Sequence, residues 1–231
     1  MSTYNHFTDA PMHSLPPYRI DSPYRITPSY RIDSVPTVLL PFHEAVRATV
    51  AIPHAAVHFF IADRYFLPLF RCPDCYVESL RRYSYVIMPD VSQYRDYSEE
   101  VRFNNHCRNL AMGAYLQSVG ITVIANVTWS LPDSYDYAFE GLPCHTTIAI
   151  NSNGANADGY TRFLWLQGYH KAIERLNPTH ILRYGSPVPG ERTDISTYYP
   201  NPYIARLREL PRKQKMPTQI NDIWQTTIDF D

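Results

Sequence analysis

The sequence predicts an α/β fold: a six-stranded, mainly parallel sheet with crossover helices. Short apolar runs alternate with helix-like segments between Val57 and Gly185. Most intervals between the runs are long enough for a helix that returns the chain to the start of the next parallel strand. Most runs also end in a polar residue, which is typical of sheets that bind ligands at the carboxyl ends of their strands.

Two arrangements of these strands are consistent with the pattern. Six strands are too few for a complete eight-stranded barrel, so one arrangement is a partial or distorted TIM-like barrel. The other is an open doubly wound sheet. We favour the barrel because so many successive strands end in polar residues. Both arrangements bring those strand ends to one edge of the sheet.

The strands are predicted from apolar runs bounded by turn residues. They are expected at residues 37–42, 56–62, 84–88, 121–127, 146–150 and 181–184. The helices, predicted from amphipathic spacing, are expected at residues 43–49, 74–83, 99–120, 133–139 and 160–176. Ser98 is a suitable cap for the third helix, because Glu99 and Glu100 follow it as an acidic first turn. Asn177 and Pro178 stop the last helix.

The chain divides into three parts. Residues 1–36 hold three Tyr-Arg-Ile repeats, beginning at Tyr18, Tyr24 and Tyr30, and numerous prolines, which predict a flexible arm. Residues 37–185 form the α/β domain. Residues 186–231 are expected to be an irregular, basic tail with one helix at 203–210. The Tyr and Arg side chains of the arm, or the basic tail, could contact single-stranded nucleic acid or a host protein.

Composition excludes some classes of protein. The formal net charge of −1 argues against wholesale electrostatic binding of nucleic acid. No apolar run approaches the ~20 residues of a membrane helix, and the amino terminus does not resemble a secretory signal. We therefore expect a cytoplasmic protein with no membrane partner, located in the host cytoplasm if the chain is viral.

The four cysteines do not form a disulfide framework in a chain of this size. Cys72 and Cys75 make a CxxC pair, yet a zinc ribbon needs a second such pair, and the sequence has none. The isolated spacing favours cysteines with no special role. Metal binding and redox chemistry are the alternatives.

Asp63 and Asp90 are the candidate catalytic residues. Each follows an apolar strand and would face the same edge of the sheet. Two carboxylates there could bind a divalent metal, or divide into an acid and a base. Alternatively, each aspartate simply caps the turn that follows its strand. No phosphate-loop, dinucleotide, nucleophile-elbow or zincin pattern is present.

Seven further residues are candidates for binding a substrate. Asn105 and Arg108 share a helix face and could hold an anion, although a solvated helix face explains them equally well. Trp129 offers a ring for stacking, or packs at the rim. The strand ends and the loop after the third strand contribute the rest of the set, Tyr94, Asn151, Ser152 and Tyr184.

Several segments, in order along the chain, resemble an uncharacterised domain family found in phages, plasmids and bacteria. They are VHFFIADRYF, VIMPDVSQYRDY, NNHCRNLAMGAYLQSVGITVIANVTW, DSYDYAFEGLP, IAINSNG and LNPTHILRYG. The resemblance covers about residues 36–185 and implies a mobile-element or viral origin. It also implies the rim set of Asp63, Asp90, Tyr94, Asn105, Arg108, Trp129 and Tyr184. Where the family more often has a second acidic residue, this chain has Ala62, and the CxxC pair lies outside the shared pattern.

Two functions compete. The first is an enzyme with a polar pocket that acts on a phosphate-bearing or nucleotide-like substrate, with a divalent metal as an optional cofactor. The second is a non-catalytic module that binds nucleic acid or a host protein. The architecture favours the enzyme, although a fold alone does not determine a function.

Overall fold

A computed structural model describes residues 34–50 and 52–202, together with Ile26. Seven strands in these ranges pair in parallel and in chain order. They are β1 (Val38–Pro41), β2 (Ala55–His58), β3 (Tyr85–Ile87), β4 (Val123–Asn126), β5 (Thr147–Asn151), β6 (His180–Tyr184) and β7 (Ser196–Tyr199). The predicted α/β class with a parallel sheet is confirmed. The predicted number of six strands is wrong, because the sheet has a seventh.

The sheet curls into a nearly closed barrel. A doubly wound sheet reverses its strand order at a switch point, whereas here the order runs from β1 to β7 without a reversal. The Tyr199 hydroxyl, at the end of β7, donates a hydrogen bond of 2.6 Å to the carbonyl of Pro36, just before β1. The two edge strands therefore approach each other, and the barrel prediction is confirmed over the open sheet.

Strand β7 lies in the region expected to be an irregular tail. Its residues are polar and half-buried except for Tyr199, so no apolar run marks it in the sequence. The link from β6 to β7 also lacks a helix. The barrel thus extends past the boundary expected at residue 185.

The described ranges contain five helices, two of them long. The helices are α1 (Phe42–Ala45), α2 (Leu67–Arg71), α3 (Asp74–Leu80), α4 (Glu99–Ser118) and α5 (Gly159–Leu176). Ser98 caps α4, as expected, by accepting a hydrogen bond from the amide of Val101 at 3.3 Å. The helix expected at 133–139 is a short 3-10 turn at Pro132–Asp136. Across the described ranges, no helix has the length and apolar character needed to cross a bilayer.

Alternate residues of each strand belong to two different apolar clusters. The inner cluster contains strand residues and Phe60, and it fills the barrel: Leu39, Ala56, Phe60, Tyr85, Ile87, Ile124, Ala149, Leu182, Tyr184 and Tyr199. The outer cluster joins the other strand face to helix residues such as Leu116 and Leu176. Both faces of each strand are therefore covered, which explains the continuous apolar runs in the sequence.

Ile26, from the second Tyr-Arg-Ile repeat, belongs to the outer cluster. It is buried, and its amide donates a hydrogen bond of 2.9 Å to the carbonyl of Gly141. A Cβ atom at Gly113 of α4 would lie 2.6 Å from Ile26 Cδ1, so the glycine leaves room for this side chain. Apart from residues 34–36, the rest of the repeat arm lies outside the described residues, as do the expected helix at 203–210 and the remainder of the tail.

A buried ion pair organises the link between β6 and β7. Arg183 Nε lies 2.6 Å from Glu191 Oε2, and both side chains are almost fully buried. Arg183 Nη1 also donates to the carbonyl of Ile150 at 3.0 Å, while Glu191 Oε1 accepts from the amide of Val188 at 2.7 Å. The guanidinium lies 4.9 Å from the centre of the Trp165 ring. These contacts hold the loop between β6 and β7 in place, although this loop contains no helix.

Replacing Glu191 with methionine should strongly destabilise the protein, because Arg183 would be left as an unpaired buried charge. We expect the free energy of unfolding, measured in urea, to fall by about 3–5 kcal/mol. The double variant Arg183→Met/Glu191→Met should recover much of this loss, since no isolated charge remains buried. Glu174→Gln is the control, because it removes the exposed pair with Lys171, whose atoms lie 2.8 Å apart. Equal effects of the Glu191 and Glu174 variants would contradict this account.

Candidate active site

Polar side chains gather at the carboxyl end of the barrel, which we call the mouth. His58, Asn126, Asn151 and Tyr184 are the last residues of β2, β4, β5 and β6. Each stands two positions after a residue of the inner cluster, so all four lie on the inner face of the sheet.

The Asp90 carboxylate is surrounded by hydrogen-bond donors from neighbouring strand ends. Asn126 Nδ2 donates to Oδ1 at 2.8 Å, and Asn151 Nδ2 approaches Oδ2 at 3.5 Å. Burial raises the pKa of Asp90, while hydrogen bonds from Asn126, Asn151 and Thr128 oppose that rise. The structure therefore brings two of the predicted site residues, Asp90 and Asn151, together. It adds Asn126, which was not among the predicted site residues.

Asp63 is the second carboxylate of the mouth, and it is buried. It begins a 3-10 turn after β2 but does not cap it. Instead, Ser92 Oγ donates to Asp63 Oδ1 at 3.0 Å, and the Ser92 amide donates to Oδ2 at 3.3 Å. Burial raises the pKa of Asp63 to about 6, helped by the charge of Asp90 and opposed by the Ser92 hydrogen bonds. A carboxyl group that titrates near neutral pH is suited to general acid or base chemistry.

Helix α4 fixes the loop that carries Ser92. Asn105 Nδ2 donates to the carbonyl of Ser92 at 2.9 Å, and Asn109 Oδ1 accepts from the amide of Val91 at 2.9 Å. The amide nitrogen of Asn105 thus helps to position the loop, and contact with a substrate stays a prediction. Arg108, on the neighbouring part of the helix, is half-buried, and this burial lowers its pKa.

Trp129 packs against helix α5. Its ring lies 5.6 Å from that of Trp165 at a tilted angle. A Cβ atom at Gly168 would lie 2.2 Å from the Trp129 ring, so only glycine leaves space for the indole there. Rim packing, one of the two readings that the sequence left open, accounts for these contacts.

Ser152 joins two loops at the mouth. Its buried Oγ donates to the carbonyl of Ser186 at 2.7 Å. Gly185 follows β6 with φ of +103°, and a Cβ atom on it would lie 2.7 Å from Ser152 Oγ. The hydroxyl therefore holds the loops after β5 and β6 together, and the glycine permits their close approach.

His58 is a residue that the sequence analysis missed. Its Nδ1 accepts the amide of Phe60 at 3.0 Å, which places the proton of the neutral ring on Nε2. Burial, with a contribution from His43, lowers the pKa of His58 to about 3, so the ring is uncharged at neutral pH. It packs 4.6 Å from the Tyr184 ring. Only its position at the end of β2, on the inner face, could have predicted a role at the mouth. The sequence analysis instead treated it as part of an apolar strand.

The loop after β3 extends from the two carboxylates to helix α5. Tyr94 is 58% exposed and meets Tyr97 edge to face. Arg95 lies 5.8 Å from the ring of Tyr160, at the start of α5. Aromatic and cationic groups therefore stand at the edge of the mouth.

Metal binding by Asp63 and Asp90 stays a prediction. Among the described residues, no group of three or more His, Cys, Asp or Glu side chains is placed to hold a metal ion. Asp63 and Asp90 have asparagine and serine neighbours instead. This arrangement can transfer protons through Asp63 and accept hydrogen bonds at Asp90.

A family model described as a domain of unknown function (DUF4417) matches residues 18–200. The Gene 1 protein of Mycobacterium phage D29 is 30% identical over 159 residues, which make up 66% of this chain and 59% of that protein. The Gene 1 protein of Mycobacterium phage L5 is 32% identical over 130 residues, or 56% of this chain and 57% of that protein. The chain thus spans less than two thirds of these relatives. No solved structure matches it. The resemblance to an uncharacterised phage domain is confirmed.

Replacing Asp63 with asparagine should stabilise the protein at neutral pH. Because burial raises the folded pKa to about 6, the folded state binds this proton more tightly than the unfolded state does. In the wild-type protein, the proton on Asp63 therefore stabilises the folded state. This contribution is complete below the unfolded pKa of 3.8 and is lost as the pH rises through 6. We expect the variant's advantage in unfolding free energy to grow from near zero at about pH 4 to as much as ~3 kcal/mol at about pH 8.

Urea unfolding of both proteins across this pH range measures the difference. Asp136→Asn, which removes an exposed carboxyl group, serves as the control and should show no such growth with pH. A variant that is less stable than the wild-type protein at neutral pH would contradict the burial of Asp63.

Proposed function

We propose that this chain, which belongs to the DUF4417 family of domains of unknown function, is an enzyme with its active site at the barrel mouth. Asp63 would exchange protons with the substrate, and Asp90 would bind a substrate group or a divalent metal. The substrate would be a small phosphate-bearing or nucleotide-like molecule. The host cytoplasm is the proposed place of action, which the phage relatives support.

One observation carries the proposal. Asp63 and Asp90 follow consecutive strands, and burial raises the pKa of both carboxyl groups. Buried carboxylates reduce stability unless donors compensate them, so such a pair at the ligand-binding end of a barrel favours a catalytic role. The pKa of about 6 on Asp63 suits proton transfer near neutral pH.

Unpaired polar atoms near the carboxylates support a ligand at the same place. Asn126 Oδ1 and Gln93 Nε2 are buried without a hydrogen-bond partner in the described part of the chain. Such atoms are costly unless a ligand or a water molecule satisfies them. The proton on His58 Nε2 adds a neutral donor on the inner face of the barrel. Together these groups could bind the polar edge of a ring.

The cations lie on the outer elements of the mouth. Arg95 is exposed on the loop after β3, and Arg108 is half-buried on α4. An anionic phosphate would be repelled by Asp63 and Asp90, and these arginines would attract it. A nucleotide-like molecule would therefore bind with its ring inward and its phosphate outward. Tyr94, exposed on the same loop, could stack on an outer part of the ligand.

The test is a turnover screen with nucleoside monophosphates, cyclic nucleotides and simple phosphate esters, with and without Mg²⁺ or Mn²⁺. We expect activity on at least one class, and a loss of roughly 10²-fold or more in kcat for Asp63→Asn. Asp90→Asn should lose activity as well. Asp136→Asn, an exposed change with the same chemistry, should keep full activity.

The metal arm of the screen separates the two roles of Asp90. If Asp90 binds a metal, Mg²⁺ or Mn²⁺ should raise the melting temperature of the wild-type protein but not that of Asp90→Asn. If it binds the substrate directly, added metal should change neither protein. Activity that survives in the folded Asp63→Asn variant would overturn the proposal.

The alternative, a non-catalytic module that binds nucleic acid or a host protein, depends on the arm and the basic tail. Most of the arm and most of the tail lie outside the described residues, so the described contacts do not favour this function.

A further inference from the structure

Two exposed cysteines on the outer wall of the barrel are joined by a disulfide. Cys72 directly follows helix α2, and Cys75 lies in the first turn of α3. Both residues are exposed, whereas the thiol of Cys107 is buried. Cys144 is exposed and unpaired. Among the described cysteines, only Cys72 and Cys75 are bonded to each other.

This bond contributes little to holding the fold. A disulfide stabilises mainly by restricting the unfolded chain, and the restriction is weakest for a short loop. Here, only Pro73 and Asp74 separate the two cysteines. Backbone hydrogen bonds already close the turn, from the Cys75 amide to the Cys72 carbonyl at 3.2 Å and from the Tyr76 amide to the Pro73 carbonyl at 3.1 Å. The turn should therefore persist when the bond is broken.

Neighbouring contacts hold the turn in place independently of the sulfur atoms. Pro73 is buried, and the Asp74 carboxylate accepts a hydrogen bond from the hydroxyl of Tyr115 on α4. An exposed pair on a fixed turn can open and close without rearranging the barrel.

We propose that Cys72 and Cys75 are a reversible dithiol–disulfide pair that equilibrates with small-molecule thiols of the glutathione class. A thiolate of the small molecule attacks Cys72 Sγ, which lies outside both helices. The Cys72–Cys75 bond breaks, a mixed disulfide forms at Cys72, and Cys75 leaves as a thiolate that takes a proton from water.

A second small thiolate then attacks the small-molecule sulfur of the mixed disulfide. The products are the oxidised small-molecule disulfide and the Cys72 thiolate, which also takes a proton. Two electrons thus pass from two small thiols to the protein, and the reverse sequence restores the bond. This chemistry does not depend on the barrel mouth or on the proposed enzyme activity.

The test uses the full chain with Cys144→Ser, which removes the other exposed thiol. The folded protein is equilibrated with glutathione and glutathione disulfide in varied ratios, quenched with acid and alkylated, and its free thiols are counted by intact mass. As the proportion of glutathione rises, we expect the number of free thiols to increase by two. The midpoint should be the same whether the experiment starts from the oxidised or the reduced protein, and the circular dichroism should not change.

Further variants identify the sulfur that is attacked. With Cys75→Ser added, Cys72 should keep a stable glutathione adduct, because no neighbouring thiol can resolve it. With Cys72→Ser added instead, the adduct should be markedly less abundant. The Cys107→Ser variant should leave the transition unchanged.

Three results would overturn the proposal. The bond could resist glutathione until urea unfolds the protein, or the reduced pair could fail to reoxidise with glutathione disulfide. Equal adduct formation by the two single-cysteine variants would refute attack at Cys72.

Discussion

The approach of the last strand to the first is the constraint on which the rest of the structure depends. The hydrogen bond from the Tyr199 hydroxyl to the Pro36 carbonyl links the two edges of the sheet. With the edges close together, the inner faces of all seven strands share one core, and their carboxyl ends surround one mouth. An open sheet would spread the same strand ends along a line, and the polar residues on them would have no common centre.

Closure also sets the electrostatics of the mouth. Asp63 is buried and Asp90 is half-buried, and burial is the largest influence on both carboxyl groups and raises the pKa of each. Ser92 and Asn126 supply compensating hydrogen bonds, and Asn105 holds Ser92 in position. The carboxylates therefore depend on a supporting layer of neutral donors. Such a compromise between stability and a reactive group is typical of functional sites.

The sequence revealed the features that a local pattern determines. Apolar runs located six strands, and the cap at Ser98 located the start of the longest helix. Strand β7 was not predicted because no apolar run marks its polar, half-buried residues. They form a strand because they pair with β6 where the barrel closes. The role of His58 was not predicted because it depends on the side chain lying on the inner face of β2. The contact between Ser92 and Asp63 was not predicted because their two loops meet only in the folded chain. The hydrogen bond from Asn105 to the loop carbonyl of Ser92 likewise could not be predicted, because the helix and the loop meet only in the folded chain.

The pKa of the Asp63 carboxyl group is the most direct measure of the buried mouth. It can be read by carbon NMR titration of the wild-type protein and of the Asp90→Asn variant. The structure predicts a midpoint of about 6 in the wild-type protein, and a lower one once the charge of Asp90 is removed. A midpoint near the usual value of 3.8 in both proteins would show that Asp63 is open to water. The closed mouth and the proposed acid–base role would then both be contradicted.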